Sequence, residues 1–147
     1  MTWLLLPVAL VAGMLLPVQF GVNSHLRNFV GGSVAAAAIS FVVGTVALAV
    51  AVLVVQRSQP EPGSVASAPW LAWTGGLLGA FFVLASIVLT PRLGAATTIG
   101  LILTGQIMAS IAIDHFGLIR VPLHEASLPR IFGARLIVAG VIVVQRF

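Results

Sequence analysis

The chain has 147 residues, 60% of them hydrophobic and 7% charged, with a mean hydropathy of +1.18. A soluble domain carries roughly 25% charged residues, so this composition excludes a water-exposed globular surface and describes an integral membrane protein: one domain of four or five spans. Seven Arg against three acids give a net charge of +4, but the Arg residues are scattered at span ends, which reads as headgroup anchoring and excludes the basic cluster a nucleic-acid binder needs.

The opening Trp3-Leu4-Leu5-Leu6 lacks the basic flank of a signal peptide, and the apolar run continues to Phe20, so it is expected to be a retained first span over residues 3–22. Pro7 and Pro17 fall inside it, which membrane helices tolerate when neighbours satisfy the freed carbonyls. Its end is polar: Gln19, Asn23, Ser24, His25, Arg27. Gln19 and Asn23 are four apart and share a helical face. Residues 23–32 read as a short polar connection ending in Gly31-Gly32.

Span 2 is expected over 33–55. Ala37, Ser40, Gly44, Ala47 and Ala51 recur every three or four residues, a small-residue stripe that lets another helix approach. Residues 56–69, QRSQPEPGSVASAP, read as a surface loop. Span 3 follows over 70–90, with Trp70 and Trp73 at its interface end and Gly75, Gly76, Gly79 and Ala80 as a second stripe. Phe81 and Phe82 face lipid, a partner helix or a binding chamber. A break at Pro91-Arg92 separates it from span 4, over 93–113. Residues 115–130 form a longer loop with a short interfacial segment. Span 5 is expected over 128–146, with Arg130, Arg135 and Arg146 snorkelling to the headgroups.

Span 4 carries unusual polarity. Gln106, Ser110 and Asp114 lie at i, i+4 and i+8 on one helical line, and Thr104 is close by. An uncompensated amide or carboxylate in hydrocarbon costs several kcal/mol, so this line faces protein or water. Two readings stand for Gln106, Ser110, Gln19 and Asn23: contacts along a substrate pathway, or interhelical hydrogen bonds worth about 0.6 kcal/mol each. Asp114 either binds a cation or proton beside His115, or caps the helix end in an ion pair, with Arg120 or Arg92 as candidate partners. His25, Arg27 and Arg92 are headgroup anchors, or a rim that steers an anionic or zwitterionic solute. His124 and Glu125 read as solvated loop residues.

Other chemistries find no support. No cysteine is present, so disulfides and thiolate metal sites are excluded. His25, His115 and His124 lack ligand spacing, so no metal is expected. No P-loop, dinucleotide fingerprint or nucleophile–base arrangement points to an enzyme or a cofactor.

With five spans, Arg57, Arg120 and Arg130, joined by Arg135 if it snorkels back, face one side, and Arg27, Arg92 and Arg146 the other. Such balance gives the positive-inside rule little to act on. Either one strong helix sets the orientation, or copies insert both ways and pair as an antiparallel homodimer. Fusing two copies of an odd-span unit would give the inverted repeats common among transporters.

The hairpin GGLLGAFFVLASIVLTPRLGAATTIGLILTGQIMASIAIDHFGL, preceded by QFGVNSHLR, resembles the YdcZ-like branch of the drug/metabolite transporter superfamily, with Gly105, Gln106 and Ile113 to Gly117 its most specific part. The closing GARLIVAGVIVV is similar to the last helix of the small multidrug resistance proteins, where such a run packs antiparallel protomers together. That implies dimer packing through Gly133, Ala139 and Gly140, and an all-α, five-helix half unit paired to ten helices around a central path. Those smaller relatives carry a carboxylate midway along helix 1. Gln19 occupies the comparable position here, and spans 1 to 3 contain no Asp or Glu.

The function expected is secondary transport of small organic solutes or amphiphiles across a bacterial inner membrane. It would proceed by alternating access, along a path between spans 1, 3 and 4 of both copies. A structural or regulatory membrane subunit, or a passive channel, is the alternative. The partners expected are a second copy, the lipid bilayer and the transported small molecule.

Overall fold

A computed structural model describes Trp3 and residues 5–55 and 62–146. Among them are five helices long and apolar enough to cross a membrane: Leu5–Leu26, Ser33–Val55, Trp70–Leu93, Ala95–Phe116 and Leu128–Arg146. No strand occurs among the described residues, so the expected five-span, all-α membrane fold is what the chain adopts. It divides into two compact units, Met1–Arg92 and Leu93–Phe147.

The first unit holds α1 (Leu5–Leu26), α2 (Ser33–Val55), a short helix α3 (Pro62–Ala66) and α4 (Gly75–Leu93), the last preceded by a 3-10 segment, Trp70–Thr74. Pro7 costs α1 nothing, because the first turn of a helix has no internal acceptors for its N–H groups. The polar end of α1 is helical to Leu26, where a connection from residue 23 was expected. No glycine or proline interrupts 22–30, and backbone groups near hydrocarbon stay paired by continuing the helix. The turn then closes with Gly32 N–H donating to Arg27 O at 3.1 Å. Of the loop expected over 56–69, residues 62–66 are helical, and 56–61, with Arg57 and Glu61, lie outside the described residues.

Packing in this unit is concentrated at one level. Ala36, Ala37, Val83 and Ile87 are buried together, with Leu26, Val30, Phe82 and Leu84 against them. Small alanines on α2 allow this approach, but only at the start of the stripe. Gly44 has nothing within 4 Å of where a Cβ would stand, and Ala47 and Ala51 are exposed. Phe41 fills in at Gly79, its ring 3.5 Å from that glycine's would-be Cβ. Above it lies an apolar groove of about 550 Å³ between α2 and α4, lined by Ala37, Phe41, Leu77, Phe81 and Leu84. Phe81 faces this groove, whereas Phe82 turns inward and meets Phe20 edge-on at 5.6 Å.

The second unit is a hairpin of α5 (Ala95–Phe116) and α6 (Leu128–Arg146). The break before it is not at Pro91-Arg92, as expected, but at Gly94, whose φ of 82° and ψ of 158° favour glycine. Pro91 sits in the last turn of α4 and leaves it helical to Leu93. α5 ends when Gly117 turns left-handed (φ 59°) and donates its N–H to Ile113 O. Where a short interfacial segment was expected, a 3-10 turn, Leu118–Arg120, is followed by chain without regular secondary structure to Ser127. Pro129 then falls in the first turn of α6, where its missing N–H is harmless.

Gly100 lets the two helices close. A Cβ there would lie 2.9 Å from Val141 Cγ1. Asp114 meets Arg130 at the other end, so α5 and α6 run antiparallel. Gly105 has open space around it.

Candidate functional site

In the first unit the polar residues of α1 meet different surroundings. Gln19 is exposed and lines a cleft of about 210 Å³ with Ser40, Gly44, Thr45 and Val83. One turn on, Asn23 is 5% exposed, and its Nδ2 has no hydrogen-bond partner among the described residues. The two share a helical face, as their spacing requires.

Beside Asn23, the Ser24 hydroxyl donates to the Ile87 carbonyl at 3.5 Å and Arg27 Nη1 donates to the same oxygen at 3.4 Å. The cause lies four residues downstream of Ile87. Pro91 has no N–H, so the carbonyl it would serve in an α-helix is free. Side chains of a neighbouring helix then take it, as membrane helices require. Ser24 was read only as part of the polar end of span 1, and the Pro91 spacing was the signal that would have identified its acceptor. Thr90, one turn beyond Ile87, has a buried hydroxyl without a partner among the described residues. His25 is exposed and packs edge-on against Phe29 at 5.0 Å. Arg92 is exposed in the last turn of α4.

The proline and the arginine are therefore coupled. In Pro91→Ala the new N–H serves Ile87, and Arg27→Gln should then cost about 1 kcal/mol less than in the wild-type background. Thermal melting of the two single mutants and the double mutant checks this, and additivity would remove the coupling.

In the second unit Asp114 is ion-paired. Arg130 Nη2 lies 2.5 Å from its Oδ2, and Arg130 Nη1 donates to His124 O at 3.0 Å. Arg130 was not among the expected partners. Arg92 belongs to the first unit, and the Arg120 side chain lies outside the described atoms. The segment returning from Gly117 brings His124 N–H to Asp114 O at 2.9 Å and Ala126 N–H to His115 Nδ1 at 3.2 Å. His115 thus acts as an acceptor and its Nε2 carries the proton. His124 Nδ1 sits 3.0 Å from Pro122 O, and His124 and Glu125 are both exposed, as expected of solvated loop residues. Asp114, His115, His124 and Arg130 form one clasp holding the 117–127 segment against the helix ends.

Deeper in α5, Thr104 Oγ1 donates back to Gly100 O at 3.0 Å, while Gln106 and Ser110 are exposed and their side chains make no hydrogen bond among the described residues. Asp114 leaves their line because a spacing of eight drifts about 80° around a helix of 3.6 residues per turn. On α6, Gly133 and Gly140 have nothing within 4 Å of a would-be Cβ, and Ala139 is exposed. No group of three or more potential metal ligands occurs among the described residues.

Residues 4–143 match the family described as "Putative inner membrane exporter, YdcZ". The chain is also 42% identical over 82 residues to "Inner membrane protein YdcZ" of Escherichia coli (strain K12). That alignment covers 56% of this chain and 54% of the relative, so the match spans about half the length of the curated protein. No solved structure matches. A family match across almost the whole chain, together with five spanning helices, makes this protein a multi-pass inner-membrane member of the YdcZ family of the drug/metabolite transporter type.

Proposed function

We propose that the protein is a secondary transporter of small organic solutes or amphiphiles, working by alternating access as an antiparallel homodimer. The observation that carries this reading is the outward face of α5. Gln106 and Ser110 project from a spanning helix without partners among the described residues, and an unpaired amide in hydrocarbon costs several kcal/mol. A second copy or a water-filled path supplies what the single chain lacks. Gln19, exposed on α1, makes the same demand in the other unit. Open glycines at 133 and 140 leave α6 free to pack closely against another helix. The family's description as an inner-membrane exporter supports transport over catalysis.

The chain has no cysteine, so single cysteines introduced in the 27–32 turn and in the 117–127 segment report orientation cleanly. Both positions should label from each side of the membrane, in roughly equal parts if insertion is dual. Labelling from one side only would sink the antiparallel dimer. Gln106→Leu should lower solute exchange in proteoliposomes roughly tenfold while the protein remains folded and paired. Unchanged exchange would remove Gln106 from the path.

A further inference from the structure

We propose that the polar end of α1, where Asn23 stands beside Ser24 and Arg27 and the latter two meet the Ile87 carbonyl of α4, binds an oxyanion, a carboxylate or phosphate carried by an amphiphilic solute or by a lipid headgroup. Hydrogen-bond donors exceed acceptors there. Arginine has five N–H donors and carries its charge permanently, yet among the described residues the one acceptor of the Arg27 side chain is the Ile87 carbonyl, at a long 3.4 Å. Asn23 Nδ2 is buried and unpaired among the described residues.

The charge is equally unbalanced. Arg27 is half-buried and has no counter-ion among the described residues. Its unit contains a single carboxylate in sequence, Glu61, which lies outside them. A partly desolvated cation without a partner is costly, and so is a buried amide N–H without an acceptor. An oxyanion answers both, since its lone pairs accept from a guanidinium and an amide together. A cationic ligand finds no negative charge here, and a neutral one leaves the guanidinium uncompensated.

The site rests on the transport reading for its purpose, as the place where the path would select its solute, but its chemistry is testable without transport. Purified full-length protein in phosphatidylcholine nanodiscs is titrated with hexyl phosphate, hexanoate and, as the cationic control, hexyltrimethylammonium. Tryptophan fluorescence and thermal melting are read. Both anions should bind and raise the melting temperature, while the cation should not. In a second arm phosphatidylglycerol is included and retained lipid is counted by native mass spectrometry. Retention that depends on Arg27, without binding of the soluble probes, assigns the oxyanion to the lipid.

Arg27→Gln should weaken anion binding roughly tenfold or more, with Arg27→Lys recovering part. Because Arg27→Gln also strips a partner from Ile87, the same substitution is made in the Pro91→Ala background, where a backbone N–H serves that carbonyl. The loss of binding should persist there. Asn23→Leu should weaken anion binding roughly threefold or more, yet melt at or above wild type without the probe, because it removes an unpaired buried N–H.

Equal binding of the cation, full binding after Arg27→Gln with Pro91→Ala, or a lowered probe-free melting temperature in Asn23→Leu would each overturn the assignment. Anion binding without any solute exchange in proteoliposomes would retain the site and remove the transport reading. Solute exchange that is indifferent to Arg27, with neither the soluble anions nor phosphatidylglycerol bound, would do the reverse.

Discussion

Gly100→Leu is expected to open the α5–α6 hairpin and leave little folded protein. Even the first added carbon would stand 2.9 Å from Val141 Cγ1, 3.1 Å from Cγ2 and 3.4 Å from Cβ. The two methyl carbons are too close while the branch point is in ordinary contact, and a helical valine is held near one χ1 rotamer, so turning the methyls away is itself costly. A leucine side chain has no room without the helices separating. Gly100→Ala should cost about 1–3 kcal/mol, the usual range for overpacking, and the larger leucine more. Two comparisons make the expectation specific. Val141→Ala combined with Gly100→Ala should recover most of the loss, since the added methyl then occupies the space the valine vacates. Gly105→Ala should be almost silent, because nothing lies within 4 Å of its would-be Cβ. Melting curves of the four variants decide the matter, and equal losses at positions 100 and 105 would remove the close-packing account.

Arg130→Leu has the second large effect. It strips the ion partner from Asp114 and the donor from His124 O in one step. The arginine side chain is 38% exposed and the aspartate 23%, so the cost lies between the surface and buried limits for broken ion pairs, about 1–3 kcal/mol. Asp114→Asn should cost less, because an amide oxygen still accepts from Arg130. Exchanging the two residues should restore only part of the loss. An aspartate at 130 can face an arginine at 114, but it has no N–H to give His124 O. Release of the 117–127 segment should speed tryptic cleavage after Arg120 in Arg130→Leu, and an unchanged cleavage rate would show that the clasp does not hold the segment.

The five spans were legible because hydropathy accumulates over twenty residues and survives errors of two or three at each end. Their joints were not. Pro91 looks like a break by its chemistry, yet a proline in a last turn loses a single hydrogen bond. Gly94 breaks the chain because its backbone adopts angles other residues avoid, and composition does not distinguish it from Gly100 or Gly105. Side-chain partners were harder still. Asp114 finds Arg130 sixteen residues away across a loop, a pairing that helical periodicity does not encode. Arg27 looked like a rim charge because its acceptor is a backbone carbonyl, which no side-chain pattern announces. Gln106 and Ser110 were recognisable as out of place in hydrocarbon, and the structure keeps them exposed.

The vacancy that Pro91 leaves at the Ile87 carbonyl bears on the order of synthesis. The donor that fills it is a side chain made 60 residues earlier, so the arginine is already at the bilayer when α4 leaves the ribosome. α4 enters lipid with one carbonyl unpaired and is completed only on meeting α1. A chain truncated to remove α1 would thus deliver a helix that partitions less readily into the bilayer, and membrane insertion and tertiary assembly become a single event for this pair.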